Sequence, residues 1–194
     1  MRQVRIGLIG TGYMGKAHAI AFKTAAAVFP LSGEIVCDMI AEVDTTLAEQ
    51  KAKEFGFARS TGDWRELVND PNIDVVDICA PNHLHKDMAL AAIASGKHVY
   101  SEKPLALNAE DALIMTQSAE AAGIKTLVGF NYIKNPTVQL AKEIIQQGEI
   151  GDVVHFRGTF NEDYLADANS AFSWRLKREF SGSGTLGDMG SHLR

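Results

Sequence analysis

Hydrophobic positions over the first 130 residues fall into two alternating rhythms, short β-rich runs and longer stretches with helical spacing. Val4-Arg5-Ile6-Gly7-Leu8-Ile9 reads as the first strand, and an alanine-rich helix follows from about Tyr13 to Val28. Glu34 to Ala41 reads as a strand, and Thr45 to Phe55 as a helix with Gly56 placed as its C-cap. A short helix over Trp64 to Val68 has Asp63 as its N-cap candidate. Ile73 to Cys79 is a strand, and Leu84 to Ala94 a helix closed by Gly96. His98 to Tyr100 is a strand, Ala109 to Ala121 a helix closed by Gly123, and Thr126 to Val128 a strand. This alternation predicts six strands joined by right-handed crossovers. The result is an α/β, doubly wound parallel sheet covered on both faces, a Rossmann domain over residues 1–130.

After Asn131 the rhythm changes. Val138 to Gln147 looks like a helix ending at Gly148, and Val153 to Phe160 alternates like an antiparallel strand. Asn161 to Ser173 is polar and irregular, and a glycine-rich segment runs from Ser181 to Arg194. One helix and one strand do not enclose a core. Residues 131–194 are therefore expected to be the start of an incomplete α+β substrate domain. Beyond about residue 160 the chain is expected to be loosely ordered or to rest on a second copy.

Hydrophobic residues at 46% and charged residues at 22% describe a globular protein with a real core, which excludes disorder as the dominant state. The net charge of −5, with no cluster of Lys and Arg, argues against nucleic acid as a partner. No apolar run reaches the roughly 18 residues of a membrane span. The N-terminus enters a strand pattern with no signal-peptide features, so a cytoplasmic location is expected. Cys37 and Cys79 lie in apolar strand contexts and read as buried free thiols.

Candidate chemistry begins with Gly10-Thr11-Gly12-Tyr13-Met14-Gly15, a G-x-G-x-x-G between the first strand and the first helix. Gly10 permits the tight turn, Gly12 lets the backbone approach a pyrophosphate, and Gly15 lets the helix pack closely. The helix N-terminus then offers free N–H groups to the phosphates. An acid at the end of the second strand is expected to hold the adenosine ribose. Asp38, Glu42 and Asp44 are the candidates, 28 to 34 residues after Gly10, and Glu42 is favoured by its place after Ile40-Ala41. No Arg or Lys lies between Glu34 and Gln50 to meet a 2′-phosphate, so NAD is favoured over NADP.

Three more stretches carry a resemblance. They are Ala80-Pro81-Asn82-His83-Leu84-His85, Gly96-Lys97-His98-Val99-Tyr100-Ser101-Glu102-Lys103-Pro104 and Gly187-Asp188-Met189-Gly190-Ser191-His192. With the phosphate loop they resemble the glucose-fructose oxidoreductase / inositol dehydrogenase / rhizopine catabolism family along the whole chain. The resemblance implies an NAD(P)-dependent oxidoreductase of sugars or cyclic polyols, commonly about twice this length. Its substrate domain supplies a pocket wall and usually the interface of a homo-oligomer. By the same resemblance Lys103 is the active-site lysine beside the nicotinamide, Asp188 and His192 are the D-x-x-x-H pair, and Pro81 and Asn82 line the nicotinamide pocket. Glu102 and His85 complete the cofactor-binding set, with packing at the helix start as the other reading of His85. Asn131 and Tyr132 fall where many members have Asn-x-Arg, without the Arg, and Trp174-Arg175 resembles a pair in sugar-acting members; these four are the remaining substrate-binding candidates. A non-catalytic dinucleotide-binding regulator or sensor is the alternative that the fold also allows.

The chemistry can be argued without the family. Hydride transfer from a carbinol needs a base for the hydroxyl proton and a group that stabilises negative charge on oxygen. Asp188 and His192, four residues apart, would share a helical face, so that the carboxylate orients the imidazole and raises its basicity. That makes His192 the base and Lys103 the group that holds the substrate oxygen. Lys103 as base with His192 only orienting remains open at this level. No metal site is expected; His83 and His85 read as residues of the helix start, and Trp64 as core.

Overall fold

The computed structural model describes residues 2–163, 166–169 and 171–192. β1 (Arg2–Ile9), β2 (Gly33–Ala41), β3 (Arg59–Thr61), β4 (Val75–Ile78), β5 (His98–Ser101) and β6 (Thr126–Val128) form one sheet, in the order β3-β2-β1-β4-β5-β6. Every neighbouring pair is parallel. α1 (Tyr13–Val28), α2 (Thr45–Phe55), α3 (Trp64–Asn69), α4 (His85–Ala94) and α5 (Ala109–Ala121) make the crossovers. The strand order reverses between β1 and β4. At that point the strands' carboxyl ends diverge and leave a crevice.

Strand alternation assigns the two faces of the sheet. Leu8 and Ile40 pack with Ala19 of α1 and with Ala52 and Phe55 of α2. Their neighbours Ile9, Met39 and Ala41, together with Val76 and Ile78, pack on the other face with Leu67, Met88, Ala92 and Met115. Parallel strands buried on both sides need apolar residues at every position. Asp77, between Val76 and Ile78, breaks that rule on the α1 side while fully buried.

Local chemistry sets the element ends. Asp44 caps α2 by accepting from Leu47 N (2.9 Å), Asp63 caps α3 through Arg65 N (2.9 Å), and Asn108 caps α5 through Asp111 N (2.8 Å). The helix-closing glycines Gly56, Gly96 and Gly123 all have positive φ. The strand expected over 73–79 is shorter, and a 3-10 turn, Asn82–Leu84, precedes α4. β3 has no apolar run of its own and pairs only at the sheet edge, beside β2.

Leu67 is fully buried in the larger core cluster. Leu67→Ala is expected to lower unfolding free energy by about 2–5 kcal/mol, read from the denaturant midpoint at unchanged m-value.

Beyond β6, α6 (Pro136–Gln146) starts with Asn135 as its cap and Pro136 in its first turn. Two expectations are corrected here. Val153 to Phe160 form no strand: a strand needs a neighbour to pair with, none stands beside them among the described residues, and Val154 is 94% exposed. The chain from 171 to 192 is not loose. A 3-10 turn at Trp174–Leu176, α7 (Arg178–Ser181), α8 (Thr185–Asp188) and a 3-10 turn at Gly190–His192 fold back onto the crevice. Ser181 is buried there, its carbonyl accepting from Asn82 Nδ2 (3.4 Å). The end of the glycine-rich segment, Leu193 and Arg194, lies outside the described residues, as do Met1, Tyr164, Leu165 and Ser170. Cys37 and Cys79 are free thiols, half-buried rather than fully buried. Among the described residues no helix is long and apolar enough to cross a membrane.

Candidate active site

The loop after β1 is built by steric exclusion. Gly10 has φ +93°, and a Cβ there would lie 2.7 Å from the Cys79 carbonyl oxygen. Its N–H donates to the Ala41 carbonyl (3.0 Å), which ties the loop to the end of β2. A Cβ at Gly15 would lie 2.1 Å from the Gly10 carbonyl oxygen, so only glycine lets α1 start this close to the loop. Gly12, by contrast, faces open space, with nothing within 4 Å of an added Cβ. α1 begins there with no capping side chain and no acid in its first turn. Its first N–H groups and the positive end of its dipole are left for an external anion, which is the fit a dinucleotide pyrophosphate requires.

The three candidate ribose acids separate cleanly. Asp38 is buried and paired with Arg5 Nη1 (2.7 Å) and Arg59 Nε (2.8 Å), and Asp44 is occupied as the cap of α2. Glu42 sits at the loop: Oε2 accepts from Thr11 N (3.1 Å) and Thr11 Oγ1 (2.7 Å), and Oε1 from Val43 N (2.9 Å). Glu42→Ala is expected to weaken NAD binding about tenfold or more, with NADP gaining relative to NAD. Equal affinities before and after, in calorimetric titrations with both nucleotides, would remove Glu42 from the site.

Glu42 and residues 10–14 line one cavity of about 730 Å³ at the carboxyl ends of the strands. Pro81 and Asn82 after β4, Glu102 and Lys103 after β5, and Asn131 and Tyr132 after β6 share its wall. The returning tail closes it with Trp174, Arg175, Asp188 and His192. Of the site residues expected from sequence, only Gly15 and His85 do not line it. Gly15 acts beneath the loop, as described. His85 is corrected: it is fully buried, with Nδ1 2.9 Å from the Pro104 carbonyl and Nε2 2.8 Å from the Ala80 carbonyl. Both nitrogens face backbone carbonyls, of the segments after β4 and β5, and its one N–H donates to one of them, so it scaffolds the wall from behind. His83 packs at a tilt against Phe180, ring centroids 4.6 Å apart, and does not converge with His85. Trp64 packs against the core, as expected, and also reaches the cavity wall.

The catalytic candidates are arranged differently from the expectation. Asp188 and His192 lie on separate short helical turns, and the carboxylate does not serve the imidazole. Asp188 Oδ1 accepts from Lys103 Nζ (2.6 Å), which also reaches the Asp188 carbonyl (2.9 Å). Arg175 Nε stands 3.4 Å from Oδ2. Lys103 therefore enters the site as an ammonium held by a carboxylate. His192 sits among aromatic rings, edge-to-face with Tyr132 (4.5 Å) and stacked on Phe160 (6.1 Å), and its Nδ1 is buried with no hydrogen-bond partner among the described residues. Burial, and then the Lys103 charge, hold His192 below the ordinary imidazole range, although Glu102 and Asp188 pull the other way. A neutral imidazole and a paired ammonium on one wall can serve as a proton acceptor and an oxyanion stabiliser.

Phe160 and Glu162, also on this wall, were not among the residues singled out from sequence. Phe160 ends the run that reads as a strand, and Glu162 lies in the irregular stretch after it, where no period marks a buried face.

Residues 4–130 match the family described as "Oxidoreductase family, NAD-binding Rossmann fold", and residues 138–194 match the GFO/IDH/MocA C-terminal domain. Levoglucosan dehydrogenase of Pseudarthrobacter phenanthrenivorans is 45% identical over 194 residues, covering 100% of this chain and 50% of that protein. Glucose-6-phosphate 3-dehydrogenase of Bacillus subtilis is 33% identical over 190 residues, covering 97% of this chain and 51% of that protein. A solved levoglucosan dehydrogenase in complex with NADH and levoglucosan superposes with a TM-score of 0.95 at 44% identity, over 99% of this chain and 52% of that one. The chain thus spans about half the length of the relatives it matches. The phosphate loop, the sheet order and these matches agree, and the chain belongs to the GFO/IDH/MocA family of NAD-binding Rossmann oxidoreductases.

Proposed function

We propose that the chain is the N-terminal portion of an NAD-dependent dehydrogenase that moves a hydride between nicotinamide and a hydroxyl or ketone carbon of a sugar or cyclic polyol. Residues 1–130 act as its dinucleotide domain, and residues 131–194 begin its substrate domain. The observation that carries this reading is a single cavity shared by an uncapped glycine loop, the Glu42 carboxylate and the Lys103–Asp188–His192 group. Bound NAD supplies the hydride acceptor. The chain's own residues do the rest. Asp188 fixes the Lys103 ammonium, which donates to the substrate oxygen and stabilises charge developing there. A ring nitrogen of His192 takes the hydroxyl proton in oxidation and returns it in reduction. Tyr132, Trp174 and Arg175 face the same space and orient the ring carrying the hydroxyl; Arg175 stacks on Trp174 at 4.6 Å.

Levoglucosan, bound by the relative above, is an anhydro sugar, which supports the ring-polyol class. Two free thiols support a cytoplasmic location. Exposed apolar residues on α6 and the segment after it, such as Leu140 and Phe156, support burial of that surface in an oligomer. The test is NADH formation by the protein carrying the whole family fold, on a panel of anhydro sugars, hexoses and inositols. NADH from at least one member, faster than NADPH from the same substrate, is expected. No reduced nucleotide from any member would overturn the reading.

A further inference from the structure

Asp77 was left as a carboxylate inside an apolar sheet, and its partner is His18 of α1. His18 Nδ1 lies 2.9 Å from Asp77 Oδ2 and 3.0 Å from Oδ1, while Nε2 lies 3.1 Å from Glu102 Oε1. His18, Asp77 and Glu102 are all buried. Tyr100 stacks on the imidazole at 4.8 Å, and Cys79 Sγ is 3.4 Å from Nδ1. Glu102 is confined from another side as well, since a Cβ on Gly129 would meet its Oε1 at 2.3 Å.

An imidazole between two ionised carboxylates can satisfy both only by carrying two N–H donors, that is, as imidazolium. The alternative, two buried anions facing a ring with one donor, leaves a charge unpaired in a low-dielectric site. Burial opposes the charged ring, but its hydrogen bonds to Asp77, Cys79 and Glu102 together raise His18 far above the ordinary imidazole range. Burial, then Asp77, push the Cys79 thiol up to about 12, so it contributes no anion. Burial pushes the Asp77 carboxyl up and the His18 contact pulls it down; with the shared proton on the ring, the cluster holds one cation and two anions. Of its members, Glu102 and Cys79 reach the cavity wall, and Glu102 immediately precedes Lys103.

We propose that His18 is a positioning residue: clamped between Asp77 and Glu102, its imidazolium holds the Glu102 carboxylate in place, and the surplus negative charge at the cavity wall favours the oxidised, cationic nicotinamide over the reduced one. The inference rests on the NAD-binding reading above and adds a direction to it. It also joins the helix that carries the phosphate loop to the segment that carries Lys103, through side chains 59 and 84 residues apart in sequence.

Two measurements on the 194-residue chain test it. The first is the ratio of NAD+ to NADH dissociation constants, by calorimetry, for the unaltered chain, Glu102→Gln and Glu102→Asp, each checked by its melting transition. Glu102→Gln is expected to weaken NAD+ about tenfold relative to NADH, and Glu102→Asp to restore most of the ratio. Equal loss of both nucleotides would overturn the inference and leave NAD binding standing. An unaltered chain that binds neither nucleotide would overturn both. The second needs no substitution: the ¹⁵N shifts of the His18 ring. Two protonated nitrogens throughout the neutral range are expected. A neutral ring at neutral pH, or Zn²⁺ displacing the Nδ1 proton, would overturn the inference.

Discussion

Lys103→Met in the protein carrying the whole family fold is expected to lower kcat by about 10²–10⁴-fold, the range seen when a group acting on the reacting oxygen is lost. NADH affinity should change little, because the phosphate loop and Glu42 are untouched. The ammonium is fixed by Asp188, so its removal takes away the cation at the substrate oxygen and the partner of a carboxylate in one step. Arg175 remains beside Asp188 and limits the structural damage. Under the proposed reading, the same geometry favours one order of the roles that the sequence left open. A lysine paired to a carboxylate is poised to donate, and an imidazole held below its ordinary range is poised to accept. With His192 as the base, kcat/KM for oxidation should stay flat through the ordinary imidazole range. It should fall only at lower pH, as the ring takes up a proton. Activity that already falls as pH is lowered from the alkaline range, with Lys103→Met abolishing that dependence, would transfer the base role to Lys103.

The second large effect is a contrast between two glycines of one loop. Gly12→Asp is expected to leave the melting temperature unchanged or slightly raised and to weaken NAD binding about 10²-fold or more. The position has φ −68° and open space around an added Cβ, and it is the N-cap of α1, where aspartate is a good residue. The new carboxylate would occupy the place and charge of a phosphate. Gly15→Val should fail for the opposite reason. Its side chain begins 2.1 Å from the Gly10 carbonyl, so α1 must move off the loop. A cost of about 1–3 kcal/mol or more is expected, together with loss of binding. Calorimetry for affinity and denaturant melts for stability distinguish the two. A Gly12→Asp variant that binds NAD normally would mean the loop is a turn and nothing more.

Much of this architecture was legible in the sequence because its signals are local. Helix ends at Phe55 and Ala121 follow from Gly56 and from the glycine-closed run before Gly123, and the phosphate loop from glycines spaced by the turn they make. Glu42 could be chosen over Asp38 because the end of an apolar strand pair marks the crevice. What escaped depends on partners distant in sequence. β3 is a strand only because β2 offers it an edge, and 153–160 is not one because nothing offers an edge there. The D-x-x-x-H spacing pointed to a carboxylate–imidazole pair, yet a lysine 85 residues away took the carboxylate. His18 looked like one more residue of an alanine-rich helix. Its partners lie on two other strands' segments, and only the oddity of Asp77 in an apolar run hinted at them.

The central claim, a built dinucleotide site with a preference for NAD, is tested most directly by the thermal transition of the 194-residue chain with saturating NAD and, separately, NADP. At about 100 times its dissociation constant, a ligand adds roughly 2.7 kcal/mol, a shift of several degrees for a chain of this size. A shift with NAD and a smaller one with NADP at equal concentration is the predicted result. An equal or larger shift with NADP would contradict the Glu42 assignment, and no shift with either would contradict the site itself.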